Sequence, residues 1–271
     1  MIRVVLGGAT GWTGEPLARA IHAAEDLVLV AAVSRTHASA DLGTVLGEQP
    51  WGVPVIGSVA EALGRDADGA EGSHVDVYID YTSHAVVRAH VMTAIAHGAH
   101  VVVGSSGMTG ADYADVEAAA LDAGVGVIAS GNFALTAALA QAAAVMVARH
   151  LPQWEVIDYA SATKPDVPSG TARELAERLS AVHRPSIGVP VHEISGPQEA
   201  RGADVNGTRV HSVRLPGYVV STDVVFGLQG QRLTISFDAG DSPQPYVDGT
   251  LLAVRRVQGV HGLVRGLDQL L

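Results

Sequence analysis

The sequence predicts an α/β protein: an open, doubly wound parallel sheet at the N-terminus, followed by an α+β region. Three observations predict it. Short β-branched runs alternate with helical patterns as far as about residue 130, the order that builds parallel strands with right-handed crossovers. The composition is 48% hydrophobic but only 4% aromatic, and rich in Ala, Val and Gly, as strands buried on both faces require. From residue 189 onward the texture changes to several consecutive strand-like segments, better suited to an antiparallel sheet.

The 271-residue chain is long enough to bury roughly three quarters of its unfolded surface in one large domain or two smaller ones. The expected division is 1–132 with 241–271 as one α/β domain, and 133–240 as an α+β domain carrying a second sheet.

A net charge of −11 with no Lys/Arg-rich run argues against nucleic acid or anionic membrane as the main partner and favours a small molecule. The absence of Cys excludes disulfides, thiolate catalysis and Cys-ligated metal, and points to the cytoplasm. The chain begins directly in a strand-like run rather than a secretory signal, and no apolar stretch is long enough to span a bilayer. Its twelve His residues form no HExxH arrangement, so no metal is expected. His192-Glu193 is placed on a predicted strand at 189–194, with a structural or surface role.

Residues 2–6 form the first strand. Gly7-Gly8-Ala9-Thr10-Gly11-Trp12-Thr13-Gly14 and an amphipathic helix through Leu17, Ala18 and Ile21 follow. Strand, glycine turn and helix in that order is the Rossmann-type dinucleotide context, in which Gly8, Gly11 and Gly14 let backbone approach a pyrophosphate and Thr10, Trp12 and Thr13 line the turn. The second strand, 27–33, ends in Ser34-Arg35-Thr36, where an NAD site carries an acidic residue. An Arg and two hydroxyls in its place favour the 2′-phosphate of NADPH, with NADH kept open.

The strand at 75–80 closes with Asp80-Tyr81-Thr82, and a helix over 86–97 follows. The strand at 101–103 runs into Gly104-Ser105-Ser106-Gly107; after a helix at 113–123, the strand at 125–129 runs into Gly131-Asn132-Phe133. Ligands bind at such strand ends, so Tyr81, Thr82, Gly104, Ser106, Gly131 and Phe133 join the candidate cofactor residues. A helix over 135–150, a strand at 154–160, a helix over 172–182, strands at 208–215, 219–226 and 231–237, and a last helix at 246–257 complete the chain.

The stretch 158–172, Asp-Tyr-Ala-Ser-Ala-Thr-Lys-Pro-Asp-Val-Pro-Ser-Gly-Thr-Ala, sets the only Lys of the chain and a Ser-Gly-Thr step before a helix. The N–H groups of a helix start favour anions. Lys164 with Ser169, Gly170 and Thr171 therefore reads as a carboxylate or phosphate clamp, against a plain helix cap and its turn.

Together these segments resemble the dihydrodipicolinate reductase family, the NAD(P)H enzymes of bacterial diaminopimelate and lysine synthesis. The likeness covers the whole chain: the Gly8/Gly11/Gly14 turn, Ile79-Asp80-Tyr81-Thr82, Gly104-Ser105-Ser106-Gly107, Asn132-Phe133, Ser212-Val213-Arg214, and above all Lys164-Pro-Asp-Val-Pro-Ser-Gly-Thr-Ala172. The resemblance implies that Lys164 and the Ser169-Gly170-Thr171 step hold a substrate carboxylate, and that the chain forms a homotetramer through the sheets of its second domain.

It also marks departures. Family members carry a His-His pair, one proposed as proton donor and the other as a substrate contact, where this chain has Ala160 and Ser161. A further family His corresponds to Thr222, Ser242-Pro243 falls where an Arg is usual, and an Asn-Phe-Ser-x-Gly run has become Asn132-Phe133-Ala134-Leu135-Thr136. Ser161 remains a candidate substrate contact, and Lys164, Tyr159, Asp158 or a water would supply a proton. The expected function is NAD(P)H-dependent reduction of a C=N or conjugated C=C in a small carboxylated, cyclic imine-like substrate. Two alternatives stand beside it: the family's own reaction, and a non-catalytic nucleotide sensor. The pair Tyr159/Lys164 also invites comparison with short-chain dehydrogenases, but four intervening residues replace the three of that motif.

Overall fold

The computed structural model describes residues 1–64 and 74–271, which divide into two compact units: 1–133 with 243–271, and 134–242.

The first unit opens with β1 (Ile2–Gly7), α1 (Gly14–Ala23), β2 (Leu27–Val33), α2 (Leu42–Val45), β3 (Val55–Ile56) and α3 (Val59–Leu63). It continues through β4 (Val77–Asp80), α4 (Val87–Ala96), β5 (His100–Val103), α5 (Gly110–Ala123) and β6 (Gly126–Ala129). The second unit comprises α6 (Leu135–Ala148), β7 (Gln153–Ala160), α7 (Gly170–Val182), β8 (Ala203–Val205), β9 (Thr208–Arg214), β10 (Val220–Leu228) and β11 (Gln231–Asp238). The chain then returns to the first unit as α8 (Gln244–Arg256) and β12 (Gly262–Arg265).

The first sheet has the strand order β12-β6-β5-β4-β1-β2-β3, and each neighbouring pair of strands is parallel. The order reverses between β1 and β4, and that switch point is where a doubly wound sheet opens a crevice for a ligand. The strands are near-continuous apolar runs because helices cover both faces: Val5, Val30, Tyr78, Val101, Val103 and Val127 pack with Val87, Val91 and Ile95 of α4 and Val116 of α5. Helix α5 starts in a Thr109/Asp112 capping box and ends at Gly124 in the left-handed region, φ +68°, the start and stop chemistry such a helix needs. β12 is an addition to expectation: a four-residue run after Gly262 that joins β6 in parallel register.

The second sheet, β11-β10-β7-β9-β8, is mixed. The hairpins β8–β9 and β10–β11 are antiparallel, but β7 and β9 are parallel. The hairpins after residue 189 are antiparallel, as expected, whereas β7 lies before them in sequence, separated from β8–β9 by α7, and inserts between β9 and β10. β8 itself was not anticipated; Asn206 (φ +53°) and Gly207 (φ +101°) form its two-residue turn, as this type of hairpin prefers. The strand expected at 189–194 is absent. Val191–Glu193 is a short 3-10 turn flanked by Pro190 and Pro197, which cannot donate to a ladder, and His192 pairs with Glu193 at the surface.

Candidate active site

In the first unit, every residue expected to meet a nucleotide follows the C-terminal end of a sheet strand, along the adjacent series β6-β5-β4-β1-β2. Gly8 turns sharply with φ +79°, and a Cβ there would lie 2.1 Å from the Tyr81 carbonyl oxygen. At Gly14 a Cβ would lie 1.9 Å from the Gly8 carbonyl oxygen, so α1 starts pressed against the turn. Gly11 is exposed, and its Cβ position meets only the Gly8 oxygen, at 3.2 Å. The N-cap residue of α1, Thr13, makes no side-chain capping bond, which leaves the helix start to an outside acceptor. These features fit a pyrophosphate.

Past β2, the Ser34 and Thr36 hydroxyls lie 3.2 Å apart, and Arg35 is exposed. Beyond β4, the Tyr81 hydroxyl lies 2.7 Å from that of Thr250, and its ring stands edge-on to Phe133; burial pushes its pKa well up. Thr82 donates to Asp80 through both N–H and hydroxyl. A Cβ on Gly104 would strike the Tyr81 ring at 2.3 Å, whereas Ser106 and Gly131 are exposed. Trp12 is 54% exposed and stands edge-on to Tyr246 of α8, centroids 5.9 Å apart. Tyr246 was missed: it lies far along the sequence, and no local pattern links it to the glycine turn. Burial raises its hydroxyl pKa to about 12.

In the second unit, β7 alternates. Trp154, Val156, Asp158 and Ala160 are buried, and Trp154 and Val156 pack with Ala172, Leu175, Ala176 and Leu179 of α7. Asp158 is fully buried and accepts from the Ser169 N–H at 2.9 Å, the Ser169 hydroxyl at 2.6 Å, the Ser212 hydroxyl at 3.0 Å and the Arg214 guanidinium at 2.8 Å. The Ser169 oxygen in turn caps α7 by accepting from the Ala172 N–H at 3.2 Å. Arg214 also donates to the Asp166 carbonyl oxygen at 2.7 Å, and Lys164 pairs with the Asp166 carboxylate at 3.0 Å. Among the described residues, buried Arg214 Nε and Asp166 Oδ2 have no hydrogen-bond partner, so this corner retains polar capacity for a ligand or water.

The sequence expectations sort accordingly. Lys164 and Ser169 sit in one polar cluster, linked through Asp166, Arg214 and Asp158. Ser169 itself faces inward, committed to Asp158 and the cap. Gly170 and Thr171 open α7, and the Ser161 hydroxyl lies 3.1 Å from that of Thr163 beside them in sequence. Tyr159 does not join: alternation along β7 turns it to the opposite face, where its hydroxyl donates to Asp223 at 3.0 Å and its ring stacks on Tyr218. Burial and the Asp223 carboxylate raise its pKa, and its proton is already engaged. The expectation that it acts beside Lys164 is corrected on that geometry. Arg214 and Asp158 are the residues whose weight the sequence understated, since their partners lie eleven to fifty-six positions away. Among the described residues no His/Asp/Glu cluster could hold a metal, and no helix is long and apolar enough to cross a membrane.

A glycine turn at the switch point of a parallel sheet, joined to a second unit with a mixed sheet, defines a pyridine-nucleotide-dependent oxidoreductase of two-domain type. Residues 2–133 match the family described as dihydrodipicolinate reductase, N-terminus, and residues 132–271 its C-terminus, so the chain belongs to the dihydrodipicolinate reductase family. It is 34% identical to the 4-hydroxy-tetrahydrodipicolinate reductase of Thermosynechococcus vestitus over 100% of this chain and 97% of that protein. It is 36% identical to that of Moorella thermoacetica, over 100% and 98%. A solved dipicolinate-bound dihydrodipicolinate reductase from Paenisporosarcina sp. TG-14 superposes with a TM-score of 0.73 at 30% identity, covering all of both chains. An amine dehydrogenase from Mycobacterium smegmatis, TM-score 0.65 at 15% identity, shares the fold alone.

Proposed function

We propose that this NAD(P)H-dependent reductase delivers hydride to a C=N or conjugated C=C of a small cyclic, carboxylated substrate, and that this substrate differs from the family's usual one. The observation that carries the proposal is the make-up of the polar cluster of the second unit. It offers Lys164, Arg214, Ser212 and Asp158, but Ala160 and Ser161 stand where the family resemblance implies a His pair, and Ala160 is fully buried. The other imidazoles of this unit are engaged elsewhere or lie at the surface: His183 with the Ala148 carbonyl oxygen, His211 with Glu155, His192 with Glu193, and the exposed His150.

A bound nicotinamide supplies hydride chemistry. The work left to the chain is to hold the substrate carboxylate, for which Lys164 and the N–H groups that open α7 at Gly170 and Thr171 are suited. An iminium substrate arrives already protonated and needs no general acid, which agrees with the loss of the His pair. Where a proton is required, Lys164 or a water is the source.

NADPH is the preferred cofactor in this proposal. Arg35 and the Ser34/Thr36 hydroxyls replace the carboxylate that would favour NADH. A homotetramer in the cytoplasm is the working assembly, in line with the family resemblance; the apolar side chains of Leu228 and Leu233 on β10 and β11 are exposed, as a subunit contact would use.

The second reading, the family's own reaction, is favoured by full-length identities of 34–36% to reductases of that name. NADPH deuterated at C4 separates the two when the protein is offered cyclic imine carboxylates alongside 4-hydroxy-tetrahydrodipicolinate. Deuterium appearing faster in another carboxylated imine supports the altered substrate. Transfer confined to the family substrate removes it.

A further inference from the structure

We propose that Asp80, His90 and Tyr78 form a positioning network around a buried carboxylate that sets the shape of the nucleotide-binding edge and, through it, the affinity for the pyridine nucleotide. The proposal rests on the reading of the first unit as the nucleotide-binding unit.

Asp80 closes β4 at the switch point and is fully buried. Among the described residues, no Lys or Arg is one of its partners. One carboxylate oxygen accepts from the Tyr78 hydroxyl at 2.7 Å and lies 3.1 Å from His90 Nδ1. The other accepts from the Thr82 N–H at 3.0 Å, the Thr82 hydroxyl at 2.8 Å and the Ser105 hydroxyl at 2.6 Å. Burial alone would push this carboxyl up, yet the bonds from His90, Ser105, Thr82 and Tyr78 hold it below the usual range. The charge is therefore retained inside the fold.

Each donor belongs to a different piece of the edge. Thr82 fixes the first residues after β4, next to Tyr81, whose carbonyl oxygen fills the space a Cβ would take at Gly8. Ser105 fixes the turn after β5. The Tyr78 hydroxyl lies where a Cβ on Gly7 would come within 2.3 Å, directly under the last residue of β1. His90, from α4, braces two of the others: its Nδ1 also lies 3.4 Å from the Tyr78 and Thr82 hydroxyls, and its ring stands edge-on to that of Tyr78. One carboxylate thus registers the ends of β5, β4 and β1, three neighbouring strands, against one another.

Stability alone does not require such a group. A buried charge with its partners is commonly no more stabilising than apolar residues of the same shape, and its best-attested service is to hold a unique geometry. A ligand edge of three loops needs that service, because small displacements of binding groups are costly.

The test measures the dissociation constant of NADPH by nicotinamide fluorescence, with melting temperature recorded in parallel, for wild type, Asp80→Asn, His90→Gln, Ser105→Ala and Ser105→Thr. The proposal expects Asp80→Asn to weaken binding about 100-fold, and His90→Gln and Ser105→Ala about tenfold. Ser105→Thr, which restores the hydroxyl, should recover most of that loss, a rescue that a general loss of stability does not produce. Unchanged constants in folded Asp80→Asn and Ser105→Ala would overturn the proposal, as would a Ser105→Ala loss that Thr fails to recover. Should Asp80→Asn not fold, the Ser105 pair decides, since it leaves the buried charge in place. Wild-type protein that binds neither NADPH nor NADH would remove the nucleotide reading, and the network with it.

Discussion

Ser169 donates twice to Asp158, through its N–H at 2.9 Å and its hydroxyl at 2.6 Å, while the same hydroxyl oxygen caps α7. The start of the helix is therefore fixed to the end of β7 by a buried carboxylate, which on the proposed reading sets the orientation of the α7 start before any ligand arrives. Replacing Asp158 by Ala leaves Arg214 without its carboxylate partner and Ser169 without an acceptor. The expected loss is about 3 kcal/mol of folding stability, read as a lower urea midpoint with unchanged m-value; a midpoint within error of wild type would show that the carboxylate is not structural.

Lys164 is only part-buried and pairs with Asp166, so its removal should leave stability nearly untouched. It should instead weaken pyridine-2,6-dicarboxylate by about 2 kcal/mol, roughly 30-fold in the dissociation constant. Calorimetry on Lys164→Ala with nucleotide present provides the reading, and an unchanged constant would place Lys164 outside the ligand site.

Arg35 is exposed beside Ser34 and Thr36, the place of the 2′-phosphate in the proposed NADPH complex. Arg35→Ala should raise the NADPH dissociation constant about tenfold and leave that of NADH unchanged. Equal effects on both nucleotides would refute the assignment of a phosphate contact.

At Gly14 a Cβ would stand 1.9 Å from the Gly8 carbonyl oxygen, with backbone atoms on the facing side. Gly14→Ala must therefore displace either α1 or the turn. Nucleotide binding should fall by more than about tenfold, together with a lower melting temperature. Normal binding by the variant would mean that the turn does not hold the pyrophosphate.

The folded-state pKa of Asp80 is depressed. Its contribution to stability is accordingly complete above the unfolded carboxyl pKa of about 4 and is lost as pH falls through the lower folded value. Asp80→Asn should flatten the fall in unfolding free energy of the first unit below about pH 4, measured by urea titration at several pH values. A slope identical to wild type would exclude Asp80 from the acid response.

Much of this was legible in local pattern. Gly8, Gly11 and Gly14 lie in a strand–turn–helix context that has few other uses, and the strands flanking α4 and α5 announce themselves by unbroken apolar runs. The clamp stretch was legible as a helix start, yet Ser169 faces Asp158 rather than outward, because its role is decided by a strand partner that spacing cannot reveal. Tyr159 was misplaced for a related reason: strand alternation separates it from Asp158 and Ala160, whereas sequence proximity to Lys164 suggested partnership. β12 and the 3-10 turn at Val191–Glu193 escaped because runs of a few residues carry too little periodicity against the pull of Gly and Pro. Tyr246 meets Trp12, and His90 meets Asp80, only through tertiary contacts that no local pattern announces.

On the proposed reading, this chain keeps the nucleotide half of the family and lacks the proton-delivering part of its substrate half. The most direct measurement is kcat/KM for 4-hydroxy-tetrahydrodipicolinate with NADPH, taken side by side with a relative that carries the His pair. Loss of a general acid costs about 100-fold or more, so a value lower by at least that factor is predicted, alongside ordinary NADPH affinity. A value equal to that of the His-bearing relative would contradict the claim and assign the family's own reaction to this chain.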